Sequence, residues 1–505
     1  MGIELRPYQL QAVDAIRQAY RDGYKCPLLR LDCGGGKTVI FSYITHGAAA
    51  KCRSTMIVAH RRELISQISL SLARFAVTHR VIAPSNVIRS IKIAQFRAFG
   101  RSFVDNTSKT IVGSVQTIVR RFNEISEPDL IILDEAHHVV ADTMWGKVLD
   151  QYPRALGLKV TATPQRLDRK GLGKGEGGYA DTMIEGPPMA WLIEQGFLSQ
   201  YRMLTTAMLP DLSKVATRMG DYDKKQVEER MDKPAIIGNA IQHWRKHADG
   251  LCTVVYCVSR KASDDVAAQF RAAGIPSEHF DGDTPEDDRV RIVRDFADGK
   301  IKVLCNVGLL TEGFDLASIA QKDVTIDCVV DLAPTQSLTL YIQKVCRCLR
   351  PRPGKMAVIL DHVGNYLRHG LPDMEREWSL NGEKKRTRSA SDEPDVTIAT
   401  CPECFTVHEP APQCPACGYI YPAKVRKLIQ EEGELVEITA SEQMRLKLEQ
   451  EEAKRRESLE RKRQEAKADT LESLIELAKS RNYRYPEAWA KHRIAGRARK
   501  KAFTE

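Results

Sequence analysis

The chain reads as an α/β protein: two tandem parallel-sheet lobes, then a small four-cysteine ribbon and a charged, helical C-terminal tail. Two patterns carry that reading. Over about the first 365 of the 505 residues, short apolar runs rich in β-branched residues alternate with amphipathic stretches. Runs of that kind are parallel strands covered by helices on both faces. Past residue 400, two C-x-x-C pairs stand close together, which is metal-ligand spacing. A weaker stretch near 205–235 divides the alternating series. The expected limits are therefore lobes at 1–204 and 205–370, a flexible linker at 371–398, a ribbon at 399–422 and a basic helical region at 423–505.

The candidate strands, in order, are "TMIVAH" (55–60), "TIVGS" (110–114), "LIILDEAHH" (130–138), "LKVTATP" (158–164), "CTVVYCVS" (252–259), "KVLCNV" (302–307), "CVVDLA" (328–333) and "MAVILDH" (356–362). Between them, "RRELISQISLSLARF" and "SRKASDDVAAQFRAAG" carry helical periodicity, the second closing on Gly274. Strand, helix, strand in repetition builds a parallel sheet, and ligands bind such sheets at the carboxyl ends of the strands.

Composition narrows the class. There is no apolar run of eighteen residues, and "MGIELRPYQL" lacks the layout of a signal peptide and the Ser or Thr that a myristoylation signal needs at Arg6. A cytoplasmic protein with no membrane partner is expected. Its thirteen cysteines are then reduced thiols or metal ligands. A formal charge of +10 fits either plain solubility or a polyanionic partner, and by itself does not choose.

Two segments carry chemistry. "LDCGGGKT" (31–38) matches the second half of a phosphate-binding loop, with Gly34, Gly35, Gly36, Lys37 and Thr38 in place and Leu31 where the usual pattern has glycine. In "LIILDEAHH", Asp134 and Glu135 follow a strand. There Asp134 is suited to hold a magnesium ion and Glu135 to orient or deprotonate an attacking water.

In this setting the chain resembles superfamily-two helicases and translocases of the DEAD/DEAH-box type, built on two RecA-like lobes. Eight motifs follow the family's order between about residues 3 and 365. The resemblance implies ATP and Mg²⁺ as cofactors, with Thr38 and Asp134 on magnesium. "LRPYQLQAV" places Gln9 where the family reads adenine, and "NVGLLTEGFDLAS" places Gly313 and Asp315 at the ribose and the lobe contact. "QKVCRCLR" places Gln343, Arg347 and Arg350 in register with the family's motif, the two arginines reaching the γ-phosphate, with Cys346 in place of the family's glycine. The resemblance also implies nucleic-acid contacts at Arg61 and Arg62, at Gln116 and Thr117, and at Ser259 and Arg260, while "TATP" (161–164) links hydrolysis to strand movement.

Past residue 370 the composition turns polar, and "NGEKKRTRSASDEPD" (381–395) reads as a flexible linker. Cys401, Cys404, Cys414 and Cys417 then offer four thiolates to a tetrahedral Zn²⁺, with His408 a nearby competitor that reads more simply as a surface histidine. The tail from 440 onward fits a long exposed helix, and it ends on Arg and Lys grouped around Trp489 and His492. This layout resembles RadD-type repair helicases and helicases encoded by phages and prophages. It implies an ATP-dependent motor on DNA, single-stranded or forked, in replication, recombination or repair, with a replication or repair protein as partner of the ribbon or tail. An RNA helicase, a non-unwinding translocase of a restriction or defence complex, and an inactive scaffold are the alternatives. Intact Lys37, Asp134, Glu135 and Arg350 speak against the scaffold.

Overall fold

β-branched side chains lose little freedom in an extended, covered strand, and the apolar runs form the middle of two sheets in a computed structural model of the protein. It describes residues 4–421 apart from 167–169, 207–208, 219, 232–233, 312–315, 321 and 382–397, and some residues between 464 and 494. Residues up to Pro422 form one compact unit and those from Ala423 another. In the second unit the helix Leu471–Ser480 is described, and the expected basic cluster at Trp489 and His492 lies outside the described residues.

The first sheet holds β1 (Pro27–Arg30), β2 (Thr55–Ala59), β3 (Arg80–Ile82), β4 (Thr110–Ser114), β5 (Leu130–Leu133), β6 (Leu156–Thr161) and β7 (Thr182–Glu185). All are parallel, in the order β3-β4-β2-β5-β6-β1-β7. The second sheet is built from β8 (Gln200–Thr205), β11 (Thr253–Tyr256), β12 (Ser277–Phe280), β13 (Val303–Asn306), β14 (Cys328–Asp331), β15 (Met356–Asp361), β16 (Ala399–Thr400) and β17 (Thr406–His408). A short hairpin of β9 (Thr217–Arg218) and β10 (Asp221–Tyr222) occupies the weakly patterned stretch. The two sheets are the cores of two RecA-like lobes. One apolar cluster runs from Leu29 and Phe41 of the first lobe to Met203, Tyr341 and Ile359 of the second, so the lobes pack on each other.

Three sequence-based limits shift. β8 pairs in parallel with β15, so the second sheet takes residues from 200 onward and not from 205. Residues 371–380, expected to open a linker, are packed: Leu371 is buried, and Leu380 lies against the apolar cluster of the first lobe. The ribbon, expected as a separate module, is part of the second sheet. β17 runs antiparallel to β8, its Thr406 facing Leu204 and its Val407 facing Met203, so the order reads β12-β13-β11-β14-β15-β8-β17-β16. An edge strand exposes unpaired N–H and C=O groups, and the ribbon hairpin covers the edge of β8.

Candidate active site

The phosphate loop leaves β1 at Arg30 and enters the helix Lys37–Ala50. Leu31 extends the strand. Its N–H donates to the Thr161 carbonyl at 3.0 Å and its side chain is fully buried, so an apolar residue fits where other loops have glycine. Gly34 and Gly36 are left-handed, with φ of 80° and 90°, a conformation that glycine adopts without steric cost. A Cβ on Gly36 would meet Gln9 Nε2 at 2.3 Å. The Gln9 amide is engaged on both sides: Oε1 accepts from the Arg6 N–H at 3.0 Å and Nε2 donates to the Gly35 carbonyl at 3.1 Å. Tyr8 donates to the same carbonyl at 2.8 Å. Gln9, the residue expected at adenine, also braces the phosphate loop. The loop's N–H groups and the start of a fourteen-residue helix make a ready anion site.

β5 lies between β2 and β6 and delivers Asp134 and Glu135 to the same sheet edge. Burial lifts the Asp134 carboxyl to about 7, with Glu135 adding to the rise and Lys37 opposing it. For Lys37, burial would favour the neutral amine, but the charges of Cys33, Glu135, Asp134 and Asp32 hold its ammonium above the usual range. A cation ringed by acidic groups at a helix start is poised for phosphate and Mg²⁺. Thr38 is the first hydroxyl of that helix, and with Asp134 it offers oxygen ligands of the kind Mg²⁺ takes.

Glu135 sits at φ 51°, ψ 53°, a left-handed setting that costs a non-glycine residue on the order of 1–3 kcal/mol and clusters at functional sites. Its carboxylate lies 3.5 Å from His137 Nδ1, and that nitrogen is 3.3 Å from the Thr161 hydroxyl. Thr161 in turn donates to the Thr163 carbonyl at 3.3 Å. A polar path therefore joins the acidic pair to the T-A-T-P segment. His137 was not singled out from the sequence, although its place two residues after Glu135 was the available signal.

The second lobe brings the turn Cys346–Leu349 to the loop. Cys346 has helical backbone angles, φ −66° and ψ −12°, so nothing there needs the family's glycine. Its thiol acts on that of Cys33 in the phosphate loop and holds Cys33 below the usual thiol range, against the effect of burial. Arg347 donates to the Thr311 carbonyl of its own lobe. Arg350 is exposed, and its carbonyl accepts from Ser199 at 3.1 Å and Lys355 at 2.9 Å. The buried Gln343 amide oxygen has no hydrogen-bond partner. Lys344, missed in the sequence, anchors this helix through a fully buried pair with Asp331 at 2.7 Å. Gly313 and Asp315 lie outside the described residues.

The other expected contact residues sit at strand ends or helix starts. Arg61 caps the helix Arg62–Arg74, and the Arg62 side chain lies outside the described residues. Thr117 and Ser114 share a 2.8 Å hydrogen bond beside the half-buried Gln116. Ser259 caps its helix by accepting from the Ala262 N–H. Arg260 is ion-paired with Asp281 at 3.1 Å and with Asp283, so a phosphate would have to displace carboxylates there.

Sequence comparison settles the family. Residues 2–166 match the family "Type III restriction enzyme, res subunit", and residues 232–352 match the helicase conserved C-terminal domain. The 51.5 kDa protein of Lactococcus phage (isolate 7-9) is 32% identical over 420 residues, covering 82% of each chain. The chain belongs to the superfamily-two helicases. The Saccharomyces cerevisiae protein IRC3, named as an ATP-dependent helicase, is 28% identical over 380 residues, which cover 71% of this chain and 51% of IRC3. Its Schizosaccharomyces pombe counterpart is 28% identical over 382 residues, covering 73% and 59%. The chain thus spans little more than half the length of these two relatives. As a superfamily-two helicase it is a nucleic-acid-stimulated ATPase.

In this helicase the four ribbon cysteines place their sulfurs within 4.8 Å of one another, with Cys401 and Cys417 at 3.5 Å and Cys404 and Cys414 at 3.7 Å. A tetrahedral zinc with bonds of about 2.3 Å sets its sulfurs roughly 3.8 Å apart, so the donor set fits Zn²⁺. His408 is no competitor. It is buried, with one ring nitrogen on the Glu409 carbonyl at 2.6 Å and the other on the Tyr421 hydroxyl at 2.8 Å, which also corrects the expectation of a surface histidine.

Proposed function

We propose that this helicase moves on DNA, single-stranded or forked, in replication, recombination or repair. The carrying observation is that Asp134 and Glu135 lie close enough to Lys37 to act on its charge at one sheet edge, while Cys346 of the Gln343–Arg350 element packs in the same apolar cluster as Cys33 of the phosphate loop. In this reading Lys37 holds the terminal phosphates, Thr38 and Asp134 hold Mg²⁺, and Glu135 takes the proton of the attacking water. Magnesium supplies neutralisation of the phosphate charge. Arg347 and Arg350 approach the γ-phosphate from the second lobe when the cleft closes, with Gln343 beside them and Gly313 and Asp315 at the ribose. The path Glu135–His137–Thr161 carries the loss of the γ-phosphate to the T-A-T-P segment.

Arg61, Arg62, Gln116, Thr117, Ser259 and Arg260 are the proposed contacts to the sugar-phosphate backbone. The ribbon is not one of them. Residues 399–422 hold Glu403 and Glu409 and no Lys or Arg, and four thiolates on Zn²⁺ add further negative charge, so phosphate is repelled there. DNA is favoured over RNA because the matched first-lobe family is that of a restriction enzyme. No described helix is long and apolar enough to cross a membrane. The deciding experiment measures ATPase rate with single-stranded DNA, duplex DNA, forked DNA and RNA in parallel. Stimulation by RNA alone would replace this reading with that of an RNA helicase.

A further inference from the structure

The segment that follows the second lobe returns to the first. Tyr341 donates to the Gly370 carbonyl at 2.9 Å and Tyr201 donates to Asp373, so the segment starts fixed to the second lobe. The Arg376 guanidinium then gathers the turn by donating to four carbonyls, those of His369, Leu371, Pro372 and Met374, at 2.7–3.1 Å. Two residues later the Trp378 ring lies 5.5 Å from the Arg30 guanidinium, at the end of β1 in the first lobe. At 380 the chain is pinned again. The Leu380 carbonyl accepts from the Gly173 N–H at 2.9 Å, and its side chain joins the apolar cluster with Leu172. A Cβ on Gly173 would lie 3.0 Å from that carbonyl, so a side chain there would press on the segment.

What Trp378 touches matters for the nucleotide. Arg30 pairs with Asp32 at 2.7 Å, and both side chains are buried. The Asp32 carbonyl accepts from the Gly35 N–H at 3.0 Å inside the phosphate loop. Burial raises the Asp32 carboxyl, and the charges of Arg30, Lys37 and Arg376 pull it back. Arg30 Nε and Asp32 Oδ2 are buried without a hydrogen bond, and the Trp378 ring faces this guanidinium.

We propose that residues 371–380 form an interlobe strap in which Trp378 is a positioning residue for the phosphate loop, acting through Arg30 and Asp32, while Leu380 anchors the strap to the first lobe. The strap fixes the base of the loop before ATP arrives and ties it to the second lobe. This rests on the ATPase reading, which the wild-type rate tests separately. Trp378→Ala in the full-length protein should raise KM for ATP about tenfold with kcat at saturating ATP and nucleic acid within about twofold of wild type, because the loop is disorganised while Glu135 is untouched. Trp378→Phe keeps an aromatic face over Arg30 and should restore most of KM. Leu380→Ala should shift KM in the same direction from the other end of the strap. A double-mutant cycle with Arg30→Met should show that the Trp378→Ala effect vanishes once the guanidinium is gone. If Trp378→Ala does not fold, Leu380→Ala and Trp378→Phe decide by the same KM-to-kcat comparison. Wild-type KM in these folded variants, or equal loss in the alanine and phenylalanine variants, overturns the proposal.

Discussion

Cutting the chain after residue 395 should destabilise the second lobe by about 5–7 kcal/mol, whereas cutting it after Pro422 should leave that lobe unchanged. The first cut removes β17 from the edge of β8. Val407 is 4% exposed, and losing its burial costs about 2 kcal/mol. The strand pairing and the Thr205 N–H to Phe405 carbonyl bond at 3.1 Å amount to two or three backbone hydrogen bonds, at about 1 kcal/mol each. Met203 and Leu204, now buried, would line an open sheet edge, adding about 1–2 kcal/mol. The second cut falls at the boundary between the two compact units and spares all of this. In a urea titration with a slope of about 2 kcal/mol per molar, the shorter protein should lose roughly 2.5–3.5 M in the midpoint of its second-lobe transition. A chelator that strips zinc from the longer protein should give a smaller shift in the same direction. Equal midpoints for the two truncations would refute the reasoning, since β17 would then contribute nothing to the sheet.

Glu135→Gln should bind ATP yet turn over at least ~10²-fold more slowly, read by nucleotide binding and steady-state ATPase side by side; wild-type-like turnover would sink the role given to Glu135. Arg350→Ala should lower kcat far more than ATP affinity, because its proposed partner is the γ-phosphate in the transition state. Metal analysis should find about one zinc per chain, and none in Cys401→Ser/Cys404→Ser. Acid should destabilise the protein through buried neutral histidines. Burial depresses His79 from 6.5 to about 4, and burial likewise takes His369 to about 4 and His362 to about 3. The unfolded chain binds these protons first, so stability is complete above pH 6.5 and falls as pH drops through that value toward 4, by about 3 kcal/mol from His79 alone. A thermal midpoint that stays flat between pH 7 and 4.5 would contradict this.

The motor was legible in the sequence because its chemistry is local. A phosphate loop needs glycines, Lys37 and Thr38 within a few residues, an acidic pair must follow a strand directly, and two C-x-x-C knuckles carry their metal geometry in their spacing. Strand positions were legible where both faces are covered: β4 falls on 110–114 as expected, and β2, β11, β13, β14 and β15 fall within the expected runs. β1 escaped notice because its short apolar run ends in Arg30, a charge that makes sense only beside Asp32 and Trp378. β8 escaped because the exposed Gln200 and Arg202 interrupt any apolar run.

What only the tertiary structure decided is where distant segments meet. Gln9 braces Gly35 from 26 residues away, Cys346 meets Cys33 across the cleft, the ribbon completes a sheet begun at residue 200, and residues expected to open a linker strap one lobe to the other. None of these has a period or a spacing to read. Each depends on burial of apolar surface and on pairing of buried polar groups between parts of the chain that fold into contact, and such pairings are fixed by packing, not by neighbours in sequence.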